Sequence, residues 1–158
     1  MAWNPRTWVA LEKISAAKLN TIRDSLKMIG DPWTAYTPVW TASTTNPTLG
    51  NGTLNGRFMQ AGQLVTGNID LVFGSTTTLG TGNYSWTLPT NAQNFRYVQG
   101  SCEILDTSAA TIYPRCILPT NANTIAVADF TPVRLNNAGP IPWAAGDRIS
   151  IGFSYEAA

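Results

Sequence analysis

The chain changes character at Gly30-Asp31-Pro32. Ahead of that break lies a charged segment holding all three lysines, Lys13, Lys18 and Lys27; from Trp33 to Ala158 the chain is rich in Thr, Asn and Gly, with five arginines and six acidic residues. This predicts one short helix joined to an almost uncharged β body, with 1–32 as arm and helix and 33–158 as head domain. A helix so short cannot bury an apolar stripe alone, so the stripe must lie against its own body or against copies of itself.

Ser15 stands where an N-cap belongs, Ile14 is placed to staple onto Leu19, and Gly30 followed by Pro32 is a stop signal. Leu19, Ile22, Leu26 and Ile29 are spaced 3, 4, 3, which puts leucine at both a positions and isoleucine at both d positions of two heptads. Leucine at a with isoleucine at d favours three or four strands over two. An amphipathic helix lying on its own domain would show the same stripe, and spacing alone leaves the two readings equal. Ahead of the helix, Trp3, Pro5 and Trp8 follow no clear period. Tryptophans in a terminal arm have a use only when docked, either into a larger assembly or onto the base of the chain's own domain.

After Pro32 the apolar period becomes two. Ile149, Ile151, Phe153 and Tyr155 alternate with Arg148, Ser150, Gly152 and Ser154, describing a strand with one wet face. Val65, Ile69, Leu71 and Phe73 make a second such face, interrupted by Gly67, and Arg57 to Gln60 precedes it across an Ala61-Gly62 turn, as in a hairpin. Tyr84 to Leu88, Phe95 to Leu105, Thr111 to Leu118 and Ile125 to Phe130 are further strand candidates, the middle pair joined at Asp106-Thr-Ser-Ala. Leu88-Pro-Thr-Asn-Ala92 recurs as Leu118-Pro-Thr-Asn-Ala122, which places two strand ends in equivalent loops at one end of the body. The fold class expected is mainly β, a jelly-roll-like β-sandwich preceded by one short N-terminal α-helix.

The charge content excludes several functions. Only 12% of residues are charged, against about 25% in an average domain, and the formal net charge is +1 without any Lys/Arg run. Nucleic-acid binding, which needs a dense cationic stripe, is therefore not expected. No apolar run approaches a membrane span or a signal peptide, so synthesis in the cytoplasm and no membrane insertion are expected. Cys102 and Cys116 would face one another if their strands pair, yet two cysteines made in a reducing compartment are more often buried thiols.

There is no histidine, which removes the usual general base and the commonest zinc ligand. No Cys-x-x-Cys, phosphate-binding loop or calcium loop is present, so no catalytic residue, metal or cofactor is expected. Asp70, Glu103, Asp106, Asp129 and Asp147 are the acids a glycosidase would draw on, and nothing in their spacing pairs them. Aromatic residues offer more. Trp33, Tyr36 and Trp40 fall at the junction of helix and body, while Trp86 and Trp143 lie near turns, where an exposed indole beside amides and hydroxyls would suit a sugar ring.

The segments Asn4-Pro-Arg-Thr-Trp-Val-Ala10, Ile14 to Leu26, Trp33-Thr-Ala-Tyr-Thr-Pro-Val-Trp40, Gly52 to Phe58 and Leu71-Val-Phe-Gly74 resemble a widespread group of tailed-bacteriophage virion proteins, often labelled minor tail proteins. The resemblance implies a short helix ahead of a β-sandwich head, assembly as a homotrimer through Leu19, Ile22, Leu26 and Ile29, and attachment to other virion proteins through the Trp3, Pro5, Trp8 arm. It implies a place on the virion as a tail-associated structural part; Trp86 and Trp143, from their positions near turns, are then the candidate contacts to a host surface glycan or protein. A capsid decoration or head-fibre protein is the nearest alternative. A polysaccharide-degrading enzyme or a carbohydrate-binding module is the alternative from another class.

Overall fold

The computed structural model describes residues 13–30, 33–128 and 133–158. Helix α1 (Ala16–Gly30) starts where the cap signal places it. Ser15 Oγ accepts from the Lys18 N–H at 3.3 Å and the Ser15 carbonyl accepts from the Leu19 N–H at 3.1 Å, satisfying donors that the first turn leaves open.

Nine strands follow among the described residues: β1 (Thr34–Tyr36), β2 (Trp40–Ala42), β3 (Thr53–Ala61), β4 (Leu64–Val72), β5 (Tyr84–Thr87), β6 (Gln99–Asp106), β7 (Thr111–Asn121), β8 (Thr124–Ala128) and β9 (Arg148–Glu156). The mainly β class behind one short helix is what the chain adopts. A strand starting at Phe95 is not: Phe95–Tyr97 is a 3-10 turn, because the Asn94 side chain accepts from the Arg96 N–H and so competes with ladder pairing.

The hydrogen bonding forms one antiparallel sheet in the order β1-β3-β4-β9-β6-β7-β8-β5-β2. All nine strands belong to a single curled sheet. The reason is that β6 pairs β9 on one side and β7 on the other, so the ladder is never interrupted. Both outer edges come from one extended run, since β1 and β2 are joined by Thr37-Pro38-Val39. At that joint the Val39 N–H donates to Thr87 Oγ1 and the Thr87 N–H donates to the Val39 carbonyl. The curl closes on the Trp40 ring, which meets Phe73 and Tyr84 edge to face at 5.6 and 5.1 Å.

Alternation fills the interior of the curl. In β9, Ile149, Ile151, Phe153 and Tyr155 are buried while Ser150, Gly152 and Ser154 face outward. Val65, Ile69 and Leu71 of β4, Cys102 and Ile104 of β6, and Ile125 and Val127 of β8 join them, each large aliphatic contributing roughly 1.5–3 kcal/mol by burial. Gly67 interrupts the β4 face because its register partner Phe153 lies across it; a Cβ there would stand 2.5 Å from the Phe153 ring. The β3–β4 hairpin turns at Gly62-Gln63, where Gly62 takes φ +63. Cys102 and Cys116 form no disulfide: Ser101 is the register partner of Cys116 and Arg115 that of Cys102, so the two point to opposite faces.

The two ends of the sheet differ. At the near end, where Trp33 leads from the helix side into β1, lie the Gly62 turn, the end of β9 and both copies of the Leu-Pro-Thr-Asn-Ala echo. The copies do stand side by side, with the Leu88 N–H donating to Asn123 and the Ala92 N–H to Ala122. The first copy is a loop, however, and the second still belongs largely to β7. The far end is covered by two crossing connections, 43–52 and 74–83, that pair antiparallel. Thr45 and Thr81 exchange both backbone hydrogen bonds, as do Thr48 and Thr78, and the two hydroxyls of the second pair lie 2.7 Å apart. Neither connection contains a charged residue.

Candidate functional site

The seam residues of α1 remain largely uncovered. Leu19 and Leu26 are 53% and 54% exposed, Ile22 is half-buried, and Ile14, placed to staple onto Leu19, is exposed as well. Ile29 is helical, but its side chain is outside the described set. The helix approaches the body along β3, and none of its described side chains enters the buried core. The body completes its interior without the helix. Two exposed leucines one heptad apart therefore form a stripe that the described residues leave largely uncovered. Trp3, Pro5 and Trp8 lie outside the described residues.

Trp33 is 39% exposed beside this helix, with the Arg57 guanidinium 6.0 Å from its ring centre. Tyr36 meets Phe58 edge to face at 5.7 Å. Trp40 is core. The junction aromatics accordingly pack the entry strand onto the sheet, with Trp33 alone showing a broad face to solvent.

Trp86 cannot serve as a surface contact. It is fully buried in β5, paired with Trp40 across the β2–β5 ladder and meeting Tyr84 at 6.1 Å. Alternation in a four-residue strand sends Tyr84 and Trp86 to the same inner face, and proximity to a turn in sequence does not alter that. Trp143 sits differently. It is half-buried at the far end, stacked on Phe73 with ring centres 4.8 Å apart and planes 27° apart, and its indole N–H donates to the Asn136 carbonyl at 3.1 Å. Phe73 ends the β4 run, and the sequence carried no signal that it would lie beneath Trp143.

The acids are occupied with structure. Asp147 is fully buried and accepts from the Thr107 N–H at 2.9 Å and the Ala144 N–H at 2.8 Å, tying the β6–β7 turn to the segment ahead of β9. Asp106 accepts from the Ser108 hydroxyl and the Ala109 N–H, bonds that hold its pKa below the ordinary carboxylate value. Asp70 is bonded to Arg148 and accepts from Ser150 at 2.9 Å. Register places Asp70 and Glu103 on either side of Ser150, a pairing not visible in the spacing, and Glu103 and Ser150 line an open groove of about 430 Å³ on the outer face of the sheet, where Asp70 is already bonded to Arg148 and Ser150. Asp129 lies outside the described residues. Among the described residues no cluster of His, Cys, Asp and Glu could hold a metal ion, and no helix is long and apolar enough to cross a membrane.

Among the described residues, this geometry is a β body preceded by an amphipathic helix whose leucines are exposed. No protein-family model matches the chain, and no solved structure matches it. Among curated proteins it is similar to the Mu-like prophage FluMu defective tail fiber protein of Haemophilus influenzae, with 27% identity over 123 residues that make up 77% of this chain and 20% of that protein. The chain thus spans about a fifth of the length of the relative it matches.

Proposed function

We propose that the protein is a homotrimeric structural part of a tailed-phage particle, associated with the tail and made in the host cytoplasm. The observation that carries this reading is the exposure of Leu19 and Leu26 on a helix that its own body leaves uncovered. The similarity to a protein named as a prophage tail fiber supports a tail structural role. Leucine at a and isoleucine at d supports three strands, and three attached domains would hold together two heptads that are marginal alone. In this reading the arm bearing Trp3, Pro5 and Trp8 fastens the trimer to other virion proteins, and the far end of the sheet, away from the helix, faces outward toward the host surface. The role needs no catalysis.

Light scattering on the purified protein tests the assembly. The expected mass is three times the 17.0 kDa of the chain. Leu19→Asp combined with Leu26→Asp is expected to give monomers whose β-sheet circular dichroism is unchanged, because neither side chain contributes to the core. An unaltered mass in that double variant would remove the helical seam from the proposal. Localisation within a whole-particle reconstruction tests the tail placement directly.

A further inference from the structure

The geometry points to a binding site for neutral carbohydrate at the far end of the sheet, in the groove floored by Trp143. The groove encloses about 330 Å³, room for about one or two pyranose rings, and none of the residues lining it is charged. Trp143 offers it a flat aromatic surface that is already fixed in place. Phe73 backs the ring at 4.8 Å and Asn136 holds the indole N–H at 3.1 Å, so a ligand stacking there orders nothing further. The C–H face of a pyranose is the ligand surface that suits such a ring, and the sugar's hydroxyls require neutral hydrogen-bonding partners at its edge.

One such donor stands in the lining. Ser75 Oγ accepts from Asn51 Nδ2 at 3.1 Å and retains its own proton to donate. Thr77 Oγ1 donates to the Leu49 carbonyl at 2.6 Å and accepts from the Gly74 N–H at 2.8 Å, which fixes the loop carrying Ser75. Leu79 and Ala145 complete an apolar wall. An anionic sugar would find no cation in this lining to replace its lost hydration, which sets the ligand class as uncharged. The inference rests on the reading of the far end as the outward one; its chemistry comes from the groove itself.

The test titrates the intact protein with maltotriose and the methyl glycosides of glucose, galactose and N-acetylglucosamine, read by tryptophan fluorescence and saturation-transfer NMR. Sialyllactose and tri-galacturonate form the anionic arm. At least one neutral saccharide is expected to bind saturably in the millimolar range. Trp143→Ala should weaken that binding by about tenfold or more. Ala145→Arg, a change at an exposed position, should block the groove while leaving Trp143 and the fold in place. Failure of every neutral saccharide to saturate, binding unaffected by both variants, or binding of the anionic sugars alone would overturn the inference. Light scattering on the same samples separates the two readings: a trimer that binds no sugar overturns this site and leaves the assembly standing, whereas a monomer that binds sugar overturns the assembly and leaves this site standing.

Discussion

Asp147 is, with Asp106, one of two charged side chains buried among the described residues. Both of its carboxylate oxygens accept backbone N–H bonds in a site without solvent exposure, so Asp147→Ala is expected to lower stability by about 3 kcal/mol in urea denaturation, from two charge-assisted bonds lost and two amides left unpaired. Asp106 contributes to the acid response. Its folded pKa is depressed, so the stability it contributes is present above the ordinary carboxylate pKa and disappears as pH falls through the folded value. Asp106→Asn should therefore flatten the acid limb of a melting-temperature profile. Cys102 works in the opposite direction: burial pushes its pKa up to about 12, so the unfolded chain ionises first and stability declines as pH rises from about 9 toward that value. Cys102→Ala should reduce the alkaline decline. Between these limbs no histidine titrates, and the profile is expected to be flat from about pH 5 to 8. The missing histidine could be read from the chain directly; the partners of Asp106 and Asp147 could not, because both carboxylates are satisfied by turns that only the folded sheet brings near.

Among the elements, β9 and α1 were the most legible. The alternation from Arg148 to Tyr155 survives as an alternation of exposure and burial, since a strand with one covered face has no other way to arrange those residues. Ser15 caps α1 as its position suggested, and Ser15→Ala is expected to cost about 1 kcal/mol, measured as loss of helical circular dichroism. Gly67 was legible only as a gap. Its meaning is the Phe153 ring lying over it, so Gly67→Ala should destabilise by about 1–3 kcal/mol through overpacking, detectable as a lower urea midpoint with an unchanged slope. Trp86 misled for the converse reason: it lies in a short strand close to a turn in sequence, and its neighbours in space are the core aromatics.

For the whole molecule, cohesion comes from apolar burial inside one curled sheet and from hydroxyl and amide contacts over its far end. Among the described residues the ion pairs are surface pairs such as Arg148 with Asp70 and Arg23 with Asp24, so raising sodium chloride to 1 M is expected to move the melting temperature by no more than about 2 °C. A larger drop would mean that charge matters more to cohesion than this surface suggests. The sequence by itself determined the class of the molecule, a capped helix set ahead of a β body, because caps, heptad spacing and two-residue alternation are local and leave their mark within a few residues. It also determined the absence of histidine chemistry, which needs no fold to be seen. Only the tertiary structure decided that the strands make a single sheet with both edges drawn from one segment, that Thr45 and Thr48 meet Thr81 and Thr78 across the far end, and that of two tryptophans near turns Trp86 is core while Trp143 lines a groove. Those outcomes depend on pairings between residues tens of positions apart, and the alternation that directs a side chain inward or outward does not say which distant strand will cover it.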